Sequence, residues 1–190
     1  TNICHHLKIR KGDTGNGFME AYRVYEDRFT TQMVHHSYLE PHVVIADADL
    51  SGNITMYGSL QSPFVSRAQL ARVLQMPVSK IRVIVPAVGG GFGGKSKIKL
   101  EPLAASLSQR ARRPVKMVMS REEEFVGSIV RHPAVIYVKT GVTRGGKLLA
   151  AKVRVIYDTG AYAGDGPVVS TKGGAGATGV YQIPNVQIDS

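Results

Sequence analysis

The run Gly89-Gly90-Gly91-Phe92-Gly93-Gly94-Lys95-Ser96 decides how the rest of the chain is read. Before it, Lys80 to Val85 alternates Ile81, Val83 and Val85 with Arg82, the period of a strand. After it, Glu101-Pro102 opens a helix in which Leu103, Ala104, Leu107 and Ala111 form one stripe, with Pro102 at the favoured first position. The run is therefore a glycine-rich strand-to-helix loop. Five of the 21 glycines lie in it, and seven more are scattered from Gly160 to Gly179, so two specialised backbone segments stand out as places to seek function.

Working outward, Arg23 to Met33 and His42 to Ala48 carry the β-branched and aromatic residues of strands, and Asp49-Leu50-Ser51-Gly52-Asn53 supplies a turn into Ile54 to Tyr57. Ser66 to Gln75 has helical spacing and is stopped by Met76-Pro77. Beyond the loop, Pro114 to Met119 reads as a buried strand. Ser120 followed by Glu122, Glu123 and Glu124 is an N-cap with an acidic first turn, starting a short helix to about Ile129. Ala134 to Gly141 and Leu148 to Tyr157, joined through Gly145-Gly146, make a long hairpin. The fold class is α+β, a mixed sheet with packed helices and no internal repeat.

Composition narrows the functions. A chain of 190 residues is one domain or two small ones at roughly 100 to 200 residues each. With 43% hydrophobic and 20% charged residues it is a globular, folded chain. Cys4 is the single cysteine, which excludes an internal disulfide framework and any Cys-rich zinc or iron-sulfur site held by this chain alone, and points to a reducing, cytoplasmic setting. No apolar run approaches the roughly 20 residues needed to cross a bilayer, so no membrane partner is expected. The first residue is Thr, and the chain is expected to be a piece of a longer product. The formal charge is +10, but basic residues are spread out, aromatics are only 7%, and no nucleic-acid-binding motif accompanies the clusters at Lys95, Lys97, Lys99 and at Arg110, Arg112, Arg113. A solvated face or a surface for an acidic partner is expected in place of nucleic acid.

The loop formally satisfies the G-x-x-x-x-G-K-S phosphate-binding pattern. In a true phosphate loop the helix starts at the Gly-Lys-Ser, because its first amides and its positive dipole end hold the phosphates. Pro102 opposes this, since in the second turn of such a helix it lacks an N–H and clashes with a preceding carbonyl, at about 3 kcal/mol or more. A G-x-G-x-x-G match at Gly89, Gly91 and Gly94 lacks the early strand-loop-helix setting and the later acidic residue of a dinucleotide fold. The bland alternative is a glycine turn needed only for tight packing.

The loop has company. His36-Ser37-Tyr38-Leu39-Glu40-Pro41, Ser59-Leu60-Gln61-Ser62-Pro63 and the Gly-Gly-Gly-Phe-Gly-Gly-Lys run come in order. Arg113-Pro114-Val115-Lys116, Ser120-Arg121-Glu122-Glu123, Arg131-His132-Pro133, Asp158-Thr159-Gly160-Ala161-Tyr162 and Tyr181-Gln182-Ile183-Pro184-Asn185 follow. Together, and over nearly the whole chain, they resemble the large molybdenum-cofactor-binding subunit of the xanthine dehydrogenase, aldehyde oxidoreductase and carbon monoxide dehydrogenase family.

The resemblance implies that residues 1–190 are the N-terminal portion of the molybdopterin-binding domain of a large subunit, either a fragment or one product of a split gene. It implies hydroxylation of an electron-poor carbon of a small-molecule substrate at a molybdenum-molybdopterin centre, in a dinucleotide form of the pterin. Electrons would leave through iron-sulfur clusters to FAD, on partner chains or domains. By the match, Gln61, Gly91, Phe92, Gly93 and Gly94 bind the cofactor, with Phe92 and Gly93 presenting loop amides, Gly93 to the apical oxygen of the metal, and Gln61 donating its side-chain amide to the same oxygen. No side chain is expected to ligate the metal directly. The family's catalytic glutamate and most of its pterin-binding segments lie downstream of the matched region, so no catalytic residue is assigned within this chain, and the remainder of the large subunit is an expected partner.

Plainer roles stand beside these. Glu40 is a cap or an ion-pair partner, Gln61 a strand-end glutamine bonded to a loop, and Lys95 a solvated or carboxylate-paired lysine. The His35-His36 and His5-His6 pairs are structural, because neighbours on a strand point to opposite faces. Ser96 stands where some family members carry Glu, which speaks against purine recognition through that position. The other open readings are a phosphate-loop nucleotidase and a non-catalytic assembly module.

Overall fold

The computed structural model describes residues 2–190. In chain order the elements are β1 (Lys8–Lys11), α1 (Thr14–Met19), β2 (Arg23–Thr31), β3 (Val34–His35), β4 (Val43–Ala48), β5 (Ile54–Gly58) and α2 (Pro63–Val73). After a 3-10 turn at Val78–Lys80 come β6 (Ile81–Ile84), α3 (Glu101–Ala111), β7 (Val115–Val118), α4 (Arg121–Gly127) and β8 (Val130–Arg131). The last are β9 (Ala134–Val142), β10 (Leu148–Tyr157), α5 (Gly166–Ala175) and β11 (Asn185–Asp189). The chain divides into two compact units, one of the residues through Val34 with His132–Ser190, the other of His35–Arg131.

The first unit is built on a mixed sheet of order β1-β11-β10-β9-β2, in which β10 and β11 run parallel and the other pairs antiparallel. The expected hairpin is its spine, with β9 and β10 in register from Ala134↔Tyr157 to Gly141↔Ala150. Period-two alternation along β10 turns Ala151, Val153 and Val155 into the core and Lys152 and Arg154 to solvent. In α5, a Cβ on Gly173 would lie 2.0 Å from the Tyr157 hydroxyl and one on Gly174 2.6 Å from Leu7 Cδ2. Within the second glycine-rich segment, Gly173 and Gly174 thus serve close packing of a helix, whereas Gly160, Gly164 and Gly179 lie outside α5 at positive φ.

The second unit carries the site. Its sheet has the order β6-β5-β4-β7, with β5 and β6 parallel and β4 antiparallel to both its neighbours. Asp49 to Asn53 closes the β4–β5 turn as expected, with Asp49 N–H donating to Asn53 O at 2.9 Å. Two parallel neighbours need a crossover, and α2 provides it. The carboxyl ends of β5 and β6 therefore lie side by side, and both Gln61 and the glycine loop follow from them.

Three expectations change. In α3 the buried residues are Glu101, Ala104, Ala105 and Ser108, while Leu103 and Leu107 are about half exposed. Small side chains let the helix lie close on β4, and Ser108 Oγ accepts from Ala48 N–H at 2.9 Å and donates to Arg113 O at 2.8 Å. Pro102 is the second residue of α3, after Glu101, and lacks only a donor the first turn leaves unused. Strand β7 lies at the sheet edge with Val118 exposed, so it is not a buried strand. The Ser120 start of α4 is a full capping box, in which Ser120 Oγ accepts from Glu123 N–H and Glu123 accepts from Ser120 N–H.

Met56 is fully buried among Val44, Ala46, Ile54, Leu70 and Ile81. Met56→Ala is expected to cost about 2 to 5 kcal/mol in urea unfolding. Leu50→Ala, on a turn residue 91% exposed, should stay within about 0.5 kcal/mol of wild type.

Candidate functional site

The loop leaves β6 and turns at Gly91–Gly94, where Gly94 N–H donates to Gly91 O at 2.7 Å. Gly93 has φ +101°, a conformation that side chains rarely adopt, and Phe92 sits in the left-handed region at φ +50° with its ring exposed. The backbone is held against two other segments with no room for a Cβ. At Gly91 it would meet Gln61 Oε1 at 2.5 Å, and at Gly94 it would meet the Tyr38 ring at 2.6 Å.

Gln61 is locked to the loop from both sides. Its N–H donates to Lys95 O at 2.9 Å, and its side-chain Oε1 accepts from Gly93 N–H at 2.9 Å and Lys95 N–H at 3.1 Å. Two N–H donors on one oxygen fix the amide's orientation, because the flipped amide would set NH2 against N–H. Gly93 N–H, expected to face a metal-bound oxygen, is therefore spent on orienting Gln61. Gln61 and Phe92 are exposed residues, and no hydrogen bond from the Gln61 NH2 or the Phe92 N–H is formed among the described residues.

Lys95 is completely buried, which corrects the expectation of a solvated lysine and bears out the carboxylate-paired alternative. Its Nζ donates to Glu40 Oε2 at 2.8 Å and Ser59 Oγ at 2.6 Å, and lies 4.8 Å from the centre of the Tyr38 ring. Burial pushes the Glu40 carboxyl up, but bonds from Lys95, Ser59 and the Gly89 N–H outweigh it and hold the group below the usual carboxylate range. The helix after the loop starts at Glu101, six residues past Lys95. With its lysine consumed and its helix displaced, the loop has neither feature that grips a phosphate, and the nucleotidase reading falls.

Behind the loop lies a polar cluster that sequence reasoning missed. Glu124, fully buried, accepts from Tyr38 OH at 2.6 Å and from both the backbone N–H and Nδ1 of His42. Burial lowers the His42 pKa, while the hydrogen bond and charge of Glu124 oppose that shift. Burial, with donation to Glu124, raises Tyr38 to about 12. In the run Glu122-Glu123-Glu124 each residue suits a first helical turn, but only Glu123 caps, and helical rotation carries Glu124 inward.

The histidine pairs divide as expected. His35 Nε2 bonds Ser128 Oγ at 2.8 Å and His36 Nδ1 bonds Ile129 O at 3.1 Å, while His5 reaches Ser170 and His6 reaches Asp189. Among the described residues no group of three His, Cys, Asp or Glu is placed to hold a metal ion. Ser96 Oγ donates back to Gly93 O at 2.8 Å.

The cofactor that the resemblance implies can be set against this donor set. The Gln61 NH2 and the Phe92 N–H are donors, and the carboxylate nearest the loop is already answered by Lys95. Neutral donors on a close-packed backbone suit the oxygen atoms of an electron-rich metal–pterin group, so the residues fit it.

Comparison with known proteins bears on this directly. The family described as molybdopterin cofactor-binding domain matches residues 1–190. The chain is 38% identical over 190 residues to the nicotinate dehydrogenase large molybdopterin subunit of Eubacterium barkeri, covering all of this chain and 45% of that protein. It is 38% identical to a probable xanthine dehydrogenase subunit of Bacillus subtilis, covering 99% of this chain and 25% of that one. The aldehyde oxidoreductase structure from Desulfovibrio gigas shares the fold with a TM-score of 0.91 at 24% identity, over 99% of this chain and 21% of that one. The chain thus spans less than half the length of the curated relatives it matches here. Neither the nucleotidase nor the assembly-module reading finds support in these matches.

Removing Lys95 leaves Glu40 without its counter-charge. Lys95→Ala is expected to lose about 3 to 5 kcal/mol in urea unfolding, the range for breaking a buried pair from one side. Because the folded Glu40 pKa is depressed, its stabilisation is complete above the unfolded carboxyl pKa and is lost as pH falls through the folded one. Unfolding measured as a function of pH should show that acid step in wild type and not in Glu40→Gln.

Proposed function

Since this chain belongs to the family of molybdopterin cofactor-binding domains, we propose that it forms one wall of the molybdenum site in the large subunit of a molybdenum-dependent hydroxylase. The observation that carries the reading is the Gln61 amide, whose oxygen is captured by Gly93 and Lys95 so that its NH2 is left to an outside acceptor. Residues 1–190 act as the N-terminal portion of the molybdopterin-binding domain, completed by the remainder of the large subunit. The cofactor is molybdenum-molybdopterin in a dinucleotide form, and it supplies the two-electron oxidation chemistry when bound. FAD and iron-sulfur clusters on partner subunits or domains pass the electrons on, and the setting is cytoplasmic.

The chain's own residues bind and orient. Gln61 and the Phe92 N–H donate to oxygen atoms of the group. Gly91 and Gly94 bring the backbone close, and Gly93 turns it so that Gln61 is held. Preorganised donors facing developing negative charge act with little reorganisation, which is why losing one is costly. No group of this chain holds or moves the reacting proton. The small-molecule substrate meets its base on the remainder of the large chain.

Gln61→Glu keeps an acceptor for both loop amides but replaces the outward donor with a carboxylate oxygen. Gly93→Pro deletes a donor and cannot adopt φ +101°. In the molybdenum-loaded large subunit each is expected to lower turnover about 100-fold or more. Gln61→Glu should leave the circular dichroism spectrum unchanged. Wild-type turnover in both variants, at full molybdenum content by elemental analysis, would overturn the assignment.

A further inference from the structure

Glu40 lies 49 residues before the first glycine of the loop, yet one of its oxygens gathers three donors. Oε2 accepts from Gly89 N–H at 2.8 Å, from Lys95 Nζ at 2.8 Å and from Ser59 Oγ at 2.6 Å. The first two are the ends of the loop, and the third is two residues before Gln61. The Glu40 N–H also donates to Gly89 O at 3.2 Å, so Gly89 is held by both its backbone groups. A Cβ at Gly89 would lie 2.6 Å from Glu40 Cβ, which leaves no slack between the two segments.

Ordering a glycine-rich loop is costly, since each residue loses backbone entropy and glycine more than most. Tying both ends to one rigid oxygen removes most of the arrangements the loop would otherwise sample. Lys95 passes the constraint on. Its side chain is fixed by Glu40 and Ser59, and its N–H and C=O are the groups that clasp Gln61. An ammonium buried without its carboxylate is driven toward water, and it would take the loop's last turn with it.

We propose that Glu40 is a positioning residue of this site, whose carboxylate holds Gly89 and Lys95 together and thereby keeps the Gln61 oxygen captured and its NH2 group turned outward. The proposal rests on the reading of Gln61 given above, but its first test needs no cofactor. Amide hydrogen exchange is followed by NMR in the full chain for wild type, Glu40→Gln and Ser59→Ala. In Glu40→Gln the amides of Gly93 and Lys95 should exchange about tenfold faster or more, while those of β5 keep their wild-type protection. Ser59→Ala, which removes one of the three donors and leaves the ion pair in place, should move the same two amides in the same direction by a smaller factor. It carries the test alone if Glu40→Gln does not fold. A purely structural role would accelerate loop and β5 amides together as global stability fell. Unchanged exchange at Gly93 and Lys95, or a rise only in step with β5, overturns the proposal whatever turnover does. A selective rise with wild-type turnover and metal content in the molybdenum-loaded subunit upholds the positioning role and removes the cofactor reading of Gln61.

Discussion

The Lys95 ammonium is buried completely, and a charge taken out of water must be met by an opposite charge and by acceptors for its hydrogens. Glu40, Ser59 and the face of Tyr38 meet it. They come from two stretches of the chain distant from the loop, so satisfying one side chain draws three segments to a point. Tyr38 extends the connection, because its hydroxyl ends on the buried Glu124 of α4. Arg121, on the same helix, donates to the carbonyls of Tyr38 and Leu39. A continuous series of polar contacts thus runs from α4 through the segment at Tyr38–Glu40 to the glycine loop, and misplacing Lys95 or Glu124 would leave a buried polar group unanswered.

The sheet supplies the other half of the arrangement. Parallel β5 and β6 end on the same side, which is where open sheets with helical crossovers gather ligand-binding loops. Gln61 comes from one strand and the glycine loop from its neighbour. Glycine is needed at 91 and 94 because the backbone passes within contact distance of Gln61 and Tyr38, and at 93 because of its positive φ. The alanines of α3 play a similar part on a coarser scale, letting a helix settle on β4 where leucine would hold it off.

Much of this was legible in the residues. Strand, loop and helix around Gly89–Lys95 follow from periodicity and from Pro102, and the displaced helix start already argued against phosphate. What could not be read were choices between equivalent local patterns. Of the stripe read from spacing, Ala104 is buried, but Leu103 and Leu107 are not, and only the tight approach to β4 selects Ala105 and Ser108 in their place. Three consecutive glutamates suit a helix start equally well until the helix is packed, when one of them is buried. A carboxylate partner for Lys95 and an ion pair for Glu40 were among the readings, but that the two pair with each other, 55 residues apart, is encoded by nothing local to either. Gln61 bonded to a loop was among the readings and is borne out, but that Gly93 N–H is one of its donors was hidden, since the pattern of a loop does not say which of its amides will be used internally.

The lysine that completes the phosphate-loop pattern here serves a carboxylate. The resemblance between the two kinds of loop is therefore a coincidence of needs, because both require backbone without side chains and one cation at its end. A search of genomes keyed on the eight-residue signature alone will collect chains of both kinds. In this chain the lysine is answered by an acidic residue far upstream, at Glu40, and by a hydroxyl two positions before a glutamine, at Ser59 and Gln61. Divergence at positions 40, 59 and 95 should accordingly be concerted, with a lineage that gives up the lysine free to give up the glutamate as well.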